Sequence, residues 1–312
     1  MNMIFLMDPL DTVVFEKDTS YILMRGAHRA GHTVYYLKPG NISLVNGDVH
    51  MVVEEIIPNA SPDPLFERRG SRTLTGEEID VVFIRTDPPF DVDYLTHTWL
   101  LDRLPPSSRV INSPHGIRTV NEKLWATQFT DLIPRTVVTR SRDIFTSFLK
   151  EEQQVVLKPT DGFGGQGIFQ VKADDTNANV MFESVTANST RDAIIQQWIP
   201  EAQQGDKRIL LLAGEPLGAV LRVHGDQDHR NNFFAGGHPE PAEITERDKH
   251  IIAQLKPHLL ELGLHFVGID IIGDHLIEVN VTSPTCLQEM NRLYSQSLED
   301  EVIRFAETLK TT

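Results

Sequence analysis

The run Lys158-Pro159-Thr160-Asp161-Gly162-Phe163-Gly164-Gly165-Gln166-Gly167 puts a lysine ahead of a glycine-rich loop. Gly162, Gly164 and Gly167 satisfy G-x-G-x-x-G. A dinucleotide loop of that pattern opens a helix, however, and Ile168-Phe169-Gln170-Val171 reads as a strand. A glycine flap between two antiparallel strands instead covers nucleotide phosphates. Backbone amides reach phosphate oxygens where no side chain intervenes, and glycine tolerates positive φ. Lys158 would add an ammonium to the same phosphates; a structural turn beside a surface lysine is the alternative. No Walker A pattern occurs.

A second group is Asp270, Glu278 and Asn280, within GIDIIGDHLIEVNVTSP. Glu278 and Asn280 are two apart on one strand, so both side chains leave the same face. Asp270 belongs to the strand before. Two carboxylates and an amide suit Mg²⁺, which keeps water and phosphate oxygens as its other ligands. The flanking Ile269, Ile271, Ile277 and Val279 are apolar, and acids among them are costly without a cation or partner. Exposed acids on an edge hairpin are the alternative. A third group is cationic: Lys123, Lys207 and Arg208 after Asp206, Arg222, and Arg230. Arginine forks grip carboxylates and phosphates bidentately, each contributing about 1.5–3 kcal/mol when charge-assisted. Taken singly, each is equally readable as a solvated surface charge. There is no G-x-S-x-G, H-E-x-x-H or C-x-x-C, and the twelve histidines lack ligand spacing.

The 29 basic and 44 acidic residues leave a net charge of −15, which argues against a sequence-independent grip on nucleic acid. No run approaches the ~18 apolar residues of a membrane span. The apolar start reads as a buried strand and not as a signal peptide. One cysteine, Cys286, excludes an internal disulfide framework and reads as a buried small hydrophobe.

The elements that must hold these groups follow from periodicity. Strands at 4–7, 33–37, 79–85 and 109–112 alternate with helices at 19–30 and 91–104, which predicts an α/β domain with a parallel sheet. The stretch 58–70, with three prolines, reads as a surface loop. Beyond it come a short helix at 122–130 and strands at 137–138, 154–158, 168–171, 194–198, 208–213 and 217–223. A polar loop spans 224–243. A helix begins at Thr245 with Asp248 as a near capping box, kinks at Pro257 and ends at Gly263. A hairpin at 265–272 and 276–281 precedes a last helix at 297–309.

The hairpin register decides whether the metal set can form. Opposed residues in an antiparallel pair share a face and a constant number sum. A two-residue Gly273-Asp274 turn pairs Ile272 with His275, sum 547, and sets Asp270 against Ile277. An even sum of 548 sets Asp270 against Glu278, and it requires an odd-length loop or a bulge.

Together these residues resemble the ATP-grasp superfamily, in which two subdomains clasp ATP, and within it the bacterial glutathione synthetase family. The resemblance runs nearly end to end. It is carried by Met7-Asp8-Pro9, Lys17-Asp18-Thr19-Ser20, Arg85-Thr86-Asp87-Pro88-Pro89-Phe90-Asp91, Asn121-Glu122-Lys123-Leu124, the Lys158 loop, Gly205-Asp206-Lys207-Arg208, and FVGIDIIGDHLIEVNVTSPTC ending at Cys286. It implies an ATP-grasp fold divided into an N-terminal substrate-binding domain (1–120), a lid subdomain with the glycine loop (121–199) and a catalytic subdomain with the metal site (200–312). Lys123, Lys158, Gly162, Gly164 and Gly165 would contact the phosphates. Gln197, Trp198 and Ile199 would hold adenine through their backbone, and Asp206 the ribose. Asp270, Glu278 and Asn280 would bind Mg²⁺ or Mn²⁺. Arg208 and Arg222 would serve the reaction. Asp18, Ser20, Arg85, Asp87, Arg222, Arg230, Ser283, Pro284 and Thr285 would cradle γ-glutamylcysteine; Asp18 and Ser20 are alternatively helix caps. Residues 225–237 would close as a lid, although His238-Pro239 stands where the family commonly continues Gly-Arg-Gly.

The implied reaction is ATP-dependent ligation of γ-glutamylcysteine to glycine through an acyl phosphate, in a cytoplasmic homo-oligomer, a tetramer by resemblance. No protein nucleophile is needed, in keeping with the absence of nucleophile motifs. The rivals are another ATP-grasp ligase with a different peptide or amino acid, and a non-enzymatic ATP-binding regulator.

Overall fold

The computed structural model describes residues 1–162, 164–223 and 237–309, and these form three sheets. The first contains β1 (Asn2–Leu6), β2 (Thr33–Leu37), β3 (Ile42–Val45), β4 (Asp48–Pro58), β5 (Phe66–Thr75), β6 (Val81–Ile84) and β7 (Arg109–Ile111). Its order is β3-β4-β2-β1-β6-β7, with β5 on β4. Only β2, β1, β6 and β7 run parallel; β3, β4 and β5 are antiparallel additions, so the expected parallel sheet is mixed. Part of the 58–70 stretch, read as loop, belongs to the long β4–β5 hairpin. Helices α1 (Thr19–Arg29), α2 (Val92–Leu101) and α3 (Pro114–Thr119) accompany this sheet. Asp18 caps α1 by accepting from Tyr21 N at 2.7 Å, which sets the helix start beside the C-terminal end of β1.

The second sheet has the order β10-β9-β11-β8, from β8 (Thr136–Thr139), β9 (Gln154–Pro159), β10 (Phe169–Lys172) and β11 (Ala193–Gln197). Helices α4 (Arg142–Glu152) and α5 (Ala178–Val185) pack on one face around Phe145, Phe148, Leu157, Phe182 and Ile195, a core separate from the rest of the molecule. The opposite face carries Val156, Lys158 and Gln196, because side chains alternate along a strand.

The third sheet, β14-β13-β12-β15-β16, comprises β12 (Asp206–Leu212), β13 (Glu215–Val223), β14 (His238–Pro241), β15 (Phe266–Ile272) and β16 (His275–Asn280). β14 corrects the expectation of loop through residue 243; it pairs antiparallel with β13. Helix α6 (Glu246–Glu261) starts with the Thr245–Asp248 capping box, stays helical past Pro257 and is followed by Gly263 at φ +64°. Its buried Ile251, Ile252, Leu255 and Leu259 follow helical spacing onto the sheet. Helices α7 (Leu287–Tyr294) and α8 (Leu298–Thr308) close the chain. The first and third sheets share two apolar clusters, one joining Ile4 and Val82 to Ile209 and Ile269, the other Phe5 and Phe83 to Leu210 and Phe266. Instead of the expected helix at 122–130 there is only a 3₁₀ turn, Trp125–Gln128.

Candidate active site

One cleft of 520 Å³ lies where the three sheets meet. Its floor is a consequence of register in the third sheet. Asp206 and Arg208 are two apart on β12; Arg222 is opposite Asp206, and Asp270 is opposite Arg208. Asp270 in turn faces Glu278, and Gly268 faces Asn280. Six polar side chains therefore share one face of a sheet whose other face is core.

That arrangement depends on a local irregularity. The Gly273-Asp274 turn is indeed two residues long, pairing Ile272 with His275 and Ile271 with Leu276. A bulge at Ile277 then shifts the sum from 547 to 548, which restores Asp270 opposite Glu278. Ile277 itself lines the cleft.

The floor is a chain of alternating charge. Arg208 donates Nε and Nη2 to the two oxygens of Asp270, both at 2.7 Å. Arg222 Nη2 lies 2.9 Å from Asp270 Oδ2 and also forks onto Asp206, with Nε at 3.1 Å. Burial alone would raise the Asp270 carboxyl; Arg208 and Arg222 outweigh it and hold it below the usual range. Burial raises Asp206 despite Arg222. Asn280 Nδ2 donates to Gly268 O and Asp270 Oδ2, each at 3.3 Å.

The roof is the second sheet. Lys158 Nζ donates to Gln196 Oε1 at 2.9 Å, and Gln196 Nε2 reaches Thr136 Oγ1 at 3.0 Å. Burial pushes the Lys158 ammonium down to about 8, with Glu278 opposing. Lys123 Nζ donates to Gly162 O and lies 3.5 Å from Glu278 Oε1, so it bridges loop and floor. Gly164 and Gly165 have φ of +60° and +75°, where a side chain would be strained, and both line the cleft. Gly162 does not line it, and the strand at β10 bears out the non-Rossmann reading of the loop. Gln197, Trp198 and Ile199 form a wall with Ile272 and Ile277. The N–H groups of Gln197 and Trp198 are engaged within the fold, donating to Arg135 O and Gln154 O.

The third wall joins the first sheet to residues 282–289. Arg85 donates Nε to Ser20 Oγ and Nη2 to Pro284 O, both at 3.0 Å; Nη1 has no partner among the described residues. Burial lowers the affinity of Arg85 for its proton. Ser283 Oγ donates to Asp87 Oδ1 at 2.5 Å, and Arg208 Nη1 donates to Thr285 Oγ1 at 3.2 Å. Asp18 caps α1, as the alternative reading had it, and also lines the cleft; Ser20 is a partner of Arg85 and not a cap. Cys286 is buried, and burial raises its thiol.

Residues 224–236 and Arg230 lie outside the described residues, and with them the lid; Phe163 of the glycine loop does too. Every other predicted site residue except Gly162 lines the cleft. The sequence reading missed Gln196, Glu122 and Glu289. Glu122 Oε1 accepts from Val281 N, Thr282 N and Thr282 Oγ1 at 2.8–3.3 Å, anchoring the segment that carries Ser283 and Pro284. Its place one residue before Lys123 was the available signal. Gln196 stands two residues from Trp198 on the strand already read.

Known proteins match this arrangement along its length. Residues 1–118 match the prokaryotic glutathione synthetase N-terminal domain, and residues 122–295 match the ATP-grasp domain of the same enzymes. The chain belongs to the prokaryotic glutathione synthetase family. It is 37% identical over 295 residues to the glutathione synthetase of Escherichia coli K12, covering 94% of this chain and 93% of that one. With that of Gloeobacter violaceus it is 39% identical over 309 residues, covering 97% and 95%. The fold is also that of the D-cycloserine synthetase DcsG, at a TM-score of 0.66 and 14% identity over 98% and 99% of the two chains. The macrocyclase MdnC of Microcystis aeruginosa, in complex with its precursor peptide, has the same score at 15% identity over 100% of both chains.

Proposed function

We propose that the cleft joins γ-glutamylcysteine to glycine, with ATP cleaved to ADP and phosphate. Membership in the glutathione synthetase family carries this reading of an ATP-dependent ligase. Supporting it is the meeting of a lysine-rich phosphate roof, a carboxylate–arginine floor and the Arg85 wall in one cleft.

Lys123, Lys158 and the amides at Gly164 and Gly165 hold the ATP phosphates. The segment Gln197, Trp198 and Ile199 borders adenine, and Asp206 the ribose. Arg85, Ser20, Asp18, Asp87, Ser283, Pro284 and Thr285 cradle the dipeptide, with Arg222 and Arg230 completing its site. The cysteinyl carboxylate oxygen attacks the γ-phosphorus and ADP leaves. The glycine amine then attacks the acyl carbon, and inorganic phosphate leaves with that oxygen. Positioning and charge stabilisation by Lys158, Arg208 and Arg222 are the protein's part.

Asp270, Glu278 and Asn280 fit a divalent cation in type and placement: two carboxylates face each other across β15 and β16, with an amide beside them. Mg²⁺ is the assignment, with Mn²⁺ as the alternative; when bound it neutralises phosphate charge. Arg208 and Arg222 hold Asp270 ionised and fixed, and Lys123 Nζ lies 3.5 Å from Glu278 Oε1.

No helix among the described residues is long and apolar enough to cross a membrane. A cytoplasmic homo-oligomer, a tetramer, follows from the family resemblance. Exposed Val92 and Trp99 on α2 and Leu44 and Val45 on β3 would suit a subunit contact, and light scattering tests it. The three-part division at 120 and 199 is retained as part of this reading. The activity is tested by measuring ADP release and glutathione formation. Both should require γ-glutamylcysteine and glycine, and an amino acid or peptide outcompeting the dipeptide would refute the assignment.

A further inference from the structure

A short segment at residues 121–124 joins the roof of the cleft to its floor. Asn121 opens a turn there: its Oδ1 accepts from Lys123 N at 3.1 Å and from Leu124 N at 2.9 Å, and its backbone O accepts from Trp125 N at 2.9 Å. On the other side of the same amide, Nδ2 donates to Thr160 O at 3.0 Å. The partners leave no choice of orientation, because the two backbone N–H groups only donate and the carbonyl only accepts. One side chain therefore does two jobs. It caps the turn that presents Lys123, and it holds the incoming limb of the glycine loop.

The segment is fastened to the floor. Val279 N, between Glu278 and Asn280 on β16, donates to Glu122 O at 2.9 Å, and Thr282 Oγ1 donates to Glu122 Oε1 at 2.8 Å. The loop belongs to the second sheet, whose apolar core is its own. Where the loop sits over the floor is thus decided by polar ties. Two of them run from this segment: Asn121 Nδ2 to Thr160 O, and Lys123 Nζ to Gly162 O. They are not equivalent. Lys123 lines the cleft, where nucleotide phosphates compete for its ammonium, whereas Asn121 is not among the lining residues and keeps its hold when the cleft is filled.

We propose that Asn121 is a positioning residue for the glycine loop. By tying Thr160 to the hairpin that carries Asp270 and Glu278, it sets the height of Gly164 and Gly165 over the floor, with and without nucleotide. This rests on the reading of the cleft as an ATP site. Asn121 touches neither the transferred phosphate nor the acceptor, so its loss weakens ATP binding and leaves the chemical step alone. The contact is a neutral hydrogen bond in an exposed place, which sets the scale at about 3- to 10-fold.

Asn121→Asp and Asn121→Ser separate the two jobs. Asp and Ser cap a turn about as well as Asn, but Asp offers Thr160 O no donor and Ser is an atom shorter. Two measurements are made on each: amide hydrogen exchange of the ligand-free protein, and the KM for ATP at saturating γ-glutamylcysteine and glycine. In both variants the amides of residues 164–168 should exchange about 3- to 10-fold faster and the KM for ATP should rise by a similar factor. The amides of Lys123 and Leu124, kcat and the KM for γ-glutamylcysteine should stay at wild-type values. Asn121→Ala, which loses both jobs, should also speed exchange at Lys123 and Leu124. Wild-type exchange over 164–168 in both Asp and Ser variants would overturn the proposal and leave Asn121 a cap only; so would faster exchange there with an unchanged KM for ATP. A wild type that does not cleave ATP would instead refute the function proposed for the cleft, while the exchange arm, which uses no substrate, still decides whether Asn121 holds the loop.

Discussion

Arg85 and the pair Arg208 and Arg222 are buried guanidinium groups lining one cleft, yet they are held in opposite ways. Arg208 and Arg222 are matched by Asp206 and Asp270 across adjacent strands. Among the described residues Arg85 has only neutral acceptors, Ser20 Oγ and Pro284 O, and one nitrogen unpaired. The acids raise the proton affinity of Arg222 well above its ordinary value against the effect of burial, whereas burial lowers that of Arg85. The compensated pair is a prebuilt floor whose electrostatics are complete within the protein. Arg85, with Asp87 and Asp18 in its field but no carboxylate hydrogen-bonded to it among the described residues, would complete its pairing with an anionic ligand under the proposed function.

Breaking the floor should have the largest effect. Asp270→Ala removes a proposed metal ligand and leaves Arg208 without its carboxylate. Turnover should fall by about 10³ or more, and stability by about 3–5 kcal/mol, the cost of orphaning one member of a buried pair. Steady-state kinetics and denaturant titration read the two effects. An Asp270→Ala protein as stable as wild type would mean that the floor is not a coupled unit.

Lys158→Ala comes next. It deletes a cation of the roof whose hydrogen-bond partner is the neutral Gln196, so turnover should drop by about 10²–10³ while the fold persists. Unaltered turnover in the folded variant would reduce Lys158 to a structural partner of Gln196.

Arg85→Met sharpens the contrast. It orphans no charge, so its stability cost should be about 1–3 kcal/mol, that of a lost hydrogen-bonded donor. The KM for γ-glutamylcysteine should rise about 10- to 100-fold. If Arg85→Met destabilised as much as Asp270→Ala, the two kinds of arginine would not differ as argued.

The smallest effect is a proton count. Burial sets the Lys158 ammonium at about 8, below its ordinary value, so the free protein has shed much of that proton above pH 8. ATP phosphates favour the charged form and draw the proton back. ATP binding at a pH of about 8.5 should therefore take up protons, seen as a calorimetric enthalpy that varies with buffer ionisation heat. The uptake should vanish in Lys158→Ala, and proton release in the wild type would contradict the sign.

Much of this was legible in the sequence because the chemistry sits on regular strands. The glycine loop after β9, the Asp270–Glu278–Asn280 set and the capping box of α6 all follow from spacing. The β4–β5 hairpin was not legible: Glu67 to Thr73 of β5 are exposed, so backbone pairing holds the strand without an apolar alternation to betray it. The short α7 was missed because its signal is confined to a few residues after Cys286, itself at φ +88°. The bulge at Ile277 is a backbone event, and sequence could state only that some such device was required. Glu289 escaped because a lone carboxylate in a helical turn reads as solvated until its burial is known.

The central claim is that the cleft activates a carboxylate as its acyl phosphate without a protein nucleophile. It is tested most directly by supplying γ-glutamylcysteine labelled with ¹⁸O in its cysteinyl carboxylate, together with ATP and glycine. One labelled oxygen should move into inorganic phosphate for each glutathione formed, because the bond from that oxygen to phosphorus survives the amine's attack. Phosphate that carries no label while glutathione accumulates would contradict the account.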